Sequence, residues 1–285
     1  MFDIHPHVIS KDTEKYPIAP LGGKRSAWSV ERPADVDDLL AQMDKAQVAR
    51  AAVVQSATTY GNDNSYLADI VDAHRDRLTG VGTIDLVAPD AVERLTYWLE
   101  DRGLAGIRLF TSGSTMTNQS DWMNAEETNP AWEYLNRTRY PVCVQMRPPG
   151  IPMLRDVLGR FPDLRIIVDN AARVDMSGGP SYPGAKPLFD LATAGEVYVK
   201  VTTNTLRRAV KEDDHNGAAG FMRALIGAFG SNRVAWGSDF PAMAGSMTEF
   251  VALARESVAG LPETDQTNFF DKTATALYPE VPCES

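Results

Sequence analysis

Basic residues are in deficit here, cysteine and histidine are scarce, and long apolar runs are missing. Lys and Arg total 28 against 38 Asp and Glu, for a net charge of −10. A surface of that sign repels nucleic-acid phosphates and anionic lipid headgroups, so neither nucleic acid nor a membrane is expected as a partner. No apolar run approaches the ~20 residues that span a bilayer. The opening, MFDIHPHVIS, has neither the basic nor the apolar stretch of a secretion signal, so the expected location is cytoplasmic. Two cysteines, Cys143 in an apolar stretch and Cys283 near the end, are too few for a disulfide framework or a zinc ribbon. Gly80-Val81-Gly82 lacks the third glycine of a dinucleotide-binding turn and stands ahead of its strand body, which argues against a nicotinamide or flavin fold.

What is present has the balance of a folded globular chain: 44% of the 285 residues are hydrophobic and 23% charged, away from the disordered range. Eight short apolar, β-branched runs recur at Phe2–Val8, Ala51–Ala57, Leu78–Leu86, Ala105–Phe110, Pro141–Arg147, Leu164–Ala171, Val197–Thr203 and Val234–Phe240. Helical spacing fills the intervals. Val36, Leu39, Leu40 and Met43 make one apolar stripe, and similar patterns cover 64–77, 89–102, 130–138, 151–160, 184–194, 217–229, 246–258 and 264–277. Eight strand–helix units in this length predict an α/β fold, a (β/α)8 TIM barrel forming a single domain over residues 1–285.

A barrel gathers its chemistry at the C-terminal ends of its strands. The first strand ends Asp3-Ile4-His5-Pro6-His7, and residues two apart share a face, so both imidazoles can enter the barrel mouth. The other ends offer Arg108, Gln145 and Arg147, Asp169-Asn170, Lys200 and Thr202, and Trp236-Gly237-Ser238-Asp239. His5, His7 and Asp239 amount to the three protein ligands of a catalytic zinc site. Of the other two histidines, His74 falls on a helix, and His215, in the loop after the seventh strand, is the remaining candidate near the mouth. Arg108, Arg147, Arg173 and Arg207 supply guanidinium forks suited to carboxylates, which points to a small anionic molecule as substrate.

These features together resemble the amidohydrolase superfamily, in its amidohydrolase-2 branch of 2-pyrone-4,6-dicarboxylate lactonases, sugar-lactone hydrolases and amino-carboxymuconate-type decarboxylases. The resemblance runs over nearly the whole chain. It rests on His5-x-His7, Tyr16-Pro17, Tyr60-Gly61-Asn62-Asp63-Asn64, Gly106-Ile107-Arg108-Leu109, Phe161-Pro162-Asp163-Leu164 and Trp236-Gly237-Ser238-Asp239-Phe240-Pro241. It implies that Asp239 is the general base and that His5 and His7 hydrogen-bond a substrate carbonyl without metal. It also implies that Arg207, in a segment similar to the lactonases' seventh strand, grips a carboxylate. Two departures stand out. Where the family places a histidine after the sixth-strand aspartate, this chain has Asn170, and the lactonases' second arginine after the fourth strand has no counterpart in 111–118.

The expectation is therefore a lactonase-like hydrolase of a small anionic cyclic ester, with catalytic Asp239, His5, His7 and Asn170, substrate-binding Arg108, Arg147, Arg207 and Gln145, and no cofactor. The alternatives are a decarboxylase of an aromatic or muconate-type acid holding one zinc ion through His5, His7 and Asp239, and a non-catalytic carboxylate-binding barrel. A homo-oligomer stays open.

Overall fold

The computed structural model describes residues 1–112, 120–213 and 216–279. Eight strands, β1 (Phe2–Asp3), β2 (Arg50–Val54), β3 (Leu78–Thr83), β4 (Gly106–Phe110), β5 (Val142–Gln145), β6 (Arg165–Val168), β7 (Glu196–Thr202) and β8 (Val234–Gly237), form one sheet in chain order. Every neighbouring pair is parallel. Closure comes from the chain just beyond β1 and β8. The Ile4 N–H donates to the Trp236 carbonyl (3.2 Å), the Asp239 N–H to the His5 carbonyl (3.0 Å) and the His7 N–H to the Phe240 carbonyl (2.7 Å). This is the (β/α)8 TIM barrel the strand rhythm predicts, in a single domain. No helix among the described residues is long and apolar enough to cross a membrane.

The two-residue alternation of the strands sorts the side chains into two cores. Ala51, Val53, Ile107, Leu109, Val142, Val144, Ile166 and Val168 face outward into a large core beneath the helices. Phe2, Ile4, Ala52, Val54, Val81, Cys143, Ile167 and Ala235 face inward, and Ala274, Leu277 and Tyr278 pack with them. By the same alternation and register, Arg108, Gln145, Asp169, Lys200 and Thr202 also point inward. The barrel interior is thus apolar at one end and polar at the other.

Local chemistry accounts for the element boundaries. The helix Val36–Ala46 starts at a capping box in which Asp35 and Asp38 each bond the other's backbone N–H, and it buries Leu39 and Met43. The β1 ladder is shorter than its apolar run, because past Asp3 the His5 N–H turns to the Asp3 carboxylate and Pro6 has no N–H to donate. The helix expected over 184–194 is broken into Pro183–Ala185, Lys186–Phe189 and Asp190–Thr193, a stretch in which Pro183 and Pro187 each remove a donor. Arg207 sits on the helix Thr203–Glu212, which follows β7 directly; the continuous β-branched run through Thr203 hides that helix start.

Closure leaves no room beside β8. A Cβ on Gly237 would stand 2.5 Å from the His5 Cβ and 3.1 Å from the His5 backbone nitrogen. Gly237→Ala is therefore expected to destabilise the fold by about 1–3 kcal/mol, the cost of overpacking a site that cannot relax. Chemical denaturation measures this, and an unchanged midpoint would show that the seam is looser than described.

Candidate active site

Asp169, one residue past β6, is fully buried and surrounded by cations. Its Oδ2 accepts from Arg108 Nε at 3.0 Å and from Arg108 Nη2, its Oδ1 lies 3.7 Å from Lys200 Nζ, and His5 Nδ1 is 3.2 Å from Oδ1. Burial works to raise the Asp169 carboxyl pKa, but Arg108, then His5 and Lys200, override it and hold the group well below the usual carboxylate range. Asp169 is therefore an ionised acceptor. Lys200 is itself fully buried, with Nζ 3.2 Å from Cys143 Sγ.

The two histidines are fixed from behind. His7 Nδ1 lies 2.8 Å from the Val54 carbonyl, which only accepts, so Nδ1 carries the proton. His5 Nδ1 faces the ionised Asp169 carboxylate at 3.2 Å, without the alignment of a hydrogen bond, and that negative charge favours the proton on Nδ1. Burial, reinforced by Lys200, lowers the His5 pKa to about 3 against the opposing pull of Asp169, and burial with the neighbouring His5 and Arg108 takes His7 well below its ordinary value. Both rings are neutral near pH 7, and their Nε2 atoms present lone pairs. These point toward Asp239 Oδ1, at 3.7 Å from His5 and 3.8 Å from His7. The three ligand atoms lie within 4.8 Å of one another.

Asp3 holds this arrangement to the barrel seam, its Oδ1 accepting from the His5 N–H (3.0 Å) and the Ser238 N–H (2.7 Å). Asp239, with φ +61°, stands on the chain so positioned. Burial pushes its carboxyl up to about 7, with Arg108 opposing.

A cavity of about 200 Å³ opens above, lined by His7, Asp239, Asn170, Arg108, Gln145 and Arg173 among others. That is below the roughly 300 Å³ at which pockets for drug-sized ligands begin, so the space suits one small ring. His5 lies behind His7 and Asp239, fully buried. Gln145 Oε1 accepts from Arg108 Nη2 at 2.7 Å, so Gln145 positions that arginine. Asn170 Oδ1 accepts from the Thr202 hydroxyl, which leaves its amide N–H donors for the cavity. The structure thus brings together His5, His7, Asp239, Asn170, Arg108 and Gln145. Arg147 is exposed and does not line the cavity. Neither does Arg207, whose Nη1 donates to the Ala244 carbonyl (3.0 Å) and whose guanidinium lies over the Phe250 ring. His215 and residues 113–119 lie outside the described residues.

Four contributors carry roles that their place in the sequence does not assign. Asp169 is visible in the sequence only as an inward position one step past a strand, and its role follows from Arg108 and Lys200 arriving on the same interior. Trp28 stacks on His7, centroids 5.3 Å apart and planes at 26°, and Asn204 lines the wall from the helix after β7. The fourth is the turn after β6. Asn170, Ala171, Ala172 and Arg173 all have positive φ (50°, 49°, 51° and 52°), a left-handed turn of four non-glycine residues. Each such residue costs roughly 1–2 kcal/mol, a conformation no sequence pattern announces.

Two imidazoles and a carboxylate at the open end of the strands stand where a barrel enzyme gathers its reacting groups. The family model described as Amidohydrolase matches residues 2–279, and the chain belongs to that family of hydrolases. It is 28% identical over 209 residues to an L-fucono-1,5-lactonase of Burkholderia ambifaria, covering 73% of this chain and 69% of the relative. It is 27% identical over 251 residues to a 4-sulfomuconolactone hydrolase of Rhizobium radiobacter, covering 84% and 75%. A Pseudomonas putida protein described as a 2-pyrone-4,6-dicarboxylic acid hydrolase shares the fold, with a TM-score of 0.76 at 24% identity over 97% of this chain and 96% of that one.

The raised Asp239 carboxyl has a direct consequence for pH dependence. A base must be ionised to take a proton, so kcat/KM of the metal-free protein should rise with pH and level off above about 7. A profile flat from about pH 5 to 9, or one that falls across that range, would remove Asp239 from the base role.

Proposed function

We propose that the protein hydrolyses a small monocyclic lactone bearing an anionic group, with Asp239 activating water and no metal required. The observation that carries this reading is the convergence of three acceptors, His5 Nε2, His7 Nε2 and Asp239 Oδ1, beneath a cavity of one-ring size. Acceptors of this kind orient an attacking water through its hydrogens and aim its lone pair upward. Asp239 takes one proton as the oxygen bonds to the carbonyl carbon. The tetrahedral oxyanion meets Arg108 and the Asn170 amide, fixed donors in a largely buried site. Collapse breaks the ring C–O bond, and the proton returns from Asp239 to the leaving alkoxide, giving the hydroxy acid. This reading gives the histidines a different part from the one that the resemblance implies. The expectation is donation to the carbonyl; in this reading the rings instead accept at Nε2, supported by His7 Nδ1 against the Val54 carbonyl and His5 Nδ1 facing Asp169, and donation falls to Arg108 and Asn170.

One observation favours a second reading. His5 Nε2 is a buried ring nitrogen with no hydrogen-bond partner, and with His7 Nε2 and Asp239 it forms a donor set that fits a divalent cation such as zinc. A bound ion would polarise the carbonyl and lower the pKa of water. The zinc-dependent decarboxylase uses that same set, whereas a non-catalytic barrel would bind carboxylate without turnover.

The test is a lactone panel with and without chelator. Activity is expected to survive chelation, and Asp239→Asn, nearly isosteric, is expected to lower kcat/KM by about 10² to 10⁴. Activity that dies with chelation and returns with zinc would overturn the metal-free mechanism. Asn170→His should raise zinc uptake in either case, since it adds the imidazole ligand that the set lacks.

A further inference from the structure

We propose that Arg173 is the carboxylate clamp of this cavity, and that the substrate is a monocyclic lactone carrying a free carboxylate. This rests on the lactone reading above and names both the residue and the class of anion. The other arginines near the barrel mouth are already engaged or lie elsewhere. Arg108 spends Nε and Nη2 on Asp169 and Gln145, Arg207 is held by the Ala244 carbonyl and Phe250, and Arg147 stands outside the cavity. Arg208 is held by Glu212 and the Val174 carbonyl.

Arg173 differs from all of them. It is half-buried, it lines the cavity, and among the described residues its guanidinium makes no hydrogen bond or ion pair. Its backbone is the last residue of the left-handed turn, so the chain keeps an unfavourable conformation at the point that delivers this side chain and Asn170 to the same cavity. Folding alone gives no reason for a cation there. Burial, then Arg208 and Arg147, depress the Arg173 pKa, while Asp239 and Asp169 only partly oppose them, so the positive charge is locally in surplus. A bound carboxylate would relieve that surplus and match the planar fork of N–H donors bidentately. The small cavity then places the ring between Arg173 and the His7–Asp239 pair.

Calorimetric titration with glutarate, and with uncharged glutaramide as control, tests the assignment without needing turnover. Wild type should bind glutarate in clear preference to glutaramide. Arg173→Met should weaken glutarate binding at least about tenfold, and Arg173→Lys should restore part of the loss, because charge without the fork is a poorer match. Arg173→Gly provides a second readout. It should abolish the preference while leaving the melting temperature unchanged or higher, since glycine accepts positive φ without strain. A wild type that takes glutarate no better than glutaramide, or variants that bind glutarate as wild type does, would overturn the proposal, as would an Arg173→Gly protein with a clearly lower melting temperature, which would mark Arg173 as structural. Failure on the lactone panel leaves these titrations readable, and failure of the titrations leaves lactone hydrolysis standing.

Discussion

The contact between the buried Asp169 carboxylate and the Arg108 guanidinium is the interaction on which the rest of the site depends. Removing one partner of such a buried pair typically costs about 3–5 kcal/mol, because the remaining charge is left without compensation. Asp169 also sits against His5 Nδ1 and near Lys200, so one ionised group faces a ring nitrogen of the candidate site and is shared between two cations. Val54 does the corresponding work for His7 with a backbone carbonyl. The functional face of each ring is thus decided by what stands behind it.

The same low-dielectric interior divides the two carboxylates. Asp169, among cations, is driven strongly acidic; Asp239, with less compensation, is pushed up to about 7. Environments that separate like groups in this way sort them into a permanent charge and a proton carrier. The barrel geometry makes this economical, since inward positions on successive strands place Arg108, Gln145, Asp169, Lys200 and Thr202 on one interior while the seam between β1 and β8 brings His5 and Asp239 together.

How much of this could be read from the sequence follows the physics of each signal. Period-two apolar runs and the intervening helical stripes announce the barrel, and with it the shared end of the strands where His5, His7, Arg108, Gln145, Asn170 and Asp239 gather. Hydrogen-bond direction is not written in residue spacing, so the acceptor role of the imidazoles emerges only once Val54 and Asp169 are seen behind them. Arg147 and Arg207 share the residue type and the neighbourhood of strand ends, yet side-chain direction separates them from the cavity. The turn at 170–173 left no trace in sequence, because alanine and arginine carry no preference for positive φ; tertiary context alone holds them there.

The chemistry of the site turns on His5 and His7 being neutral and presenting Nε2 as acceptors toward Asp239. Long-range proton–nitrogen correlation NMR of the imidazoles reads this directly, in a chain with only four histidines to assign. In metal-free protein at neutral pH, the account predicts that both residues are Nδ1–H tautomers with unprotonated Nε2. An Nε2–H tautomer or an imidazolium at either residue would contradict it.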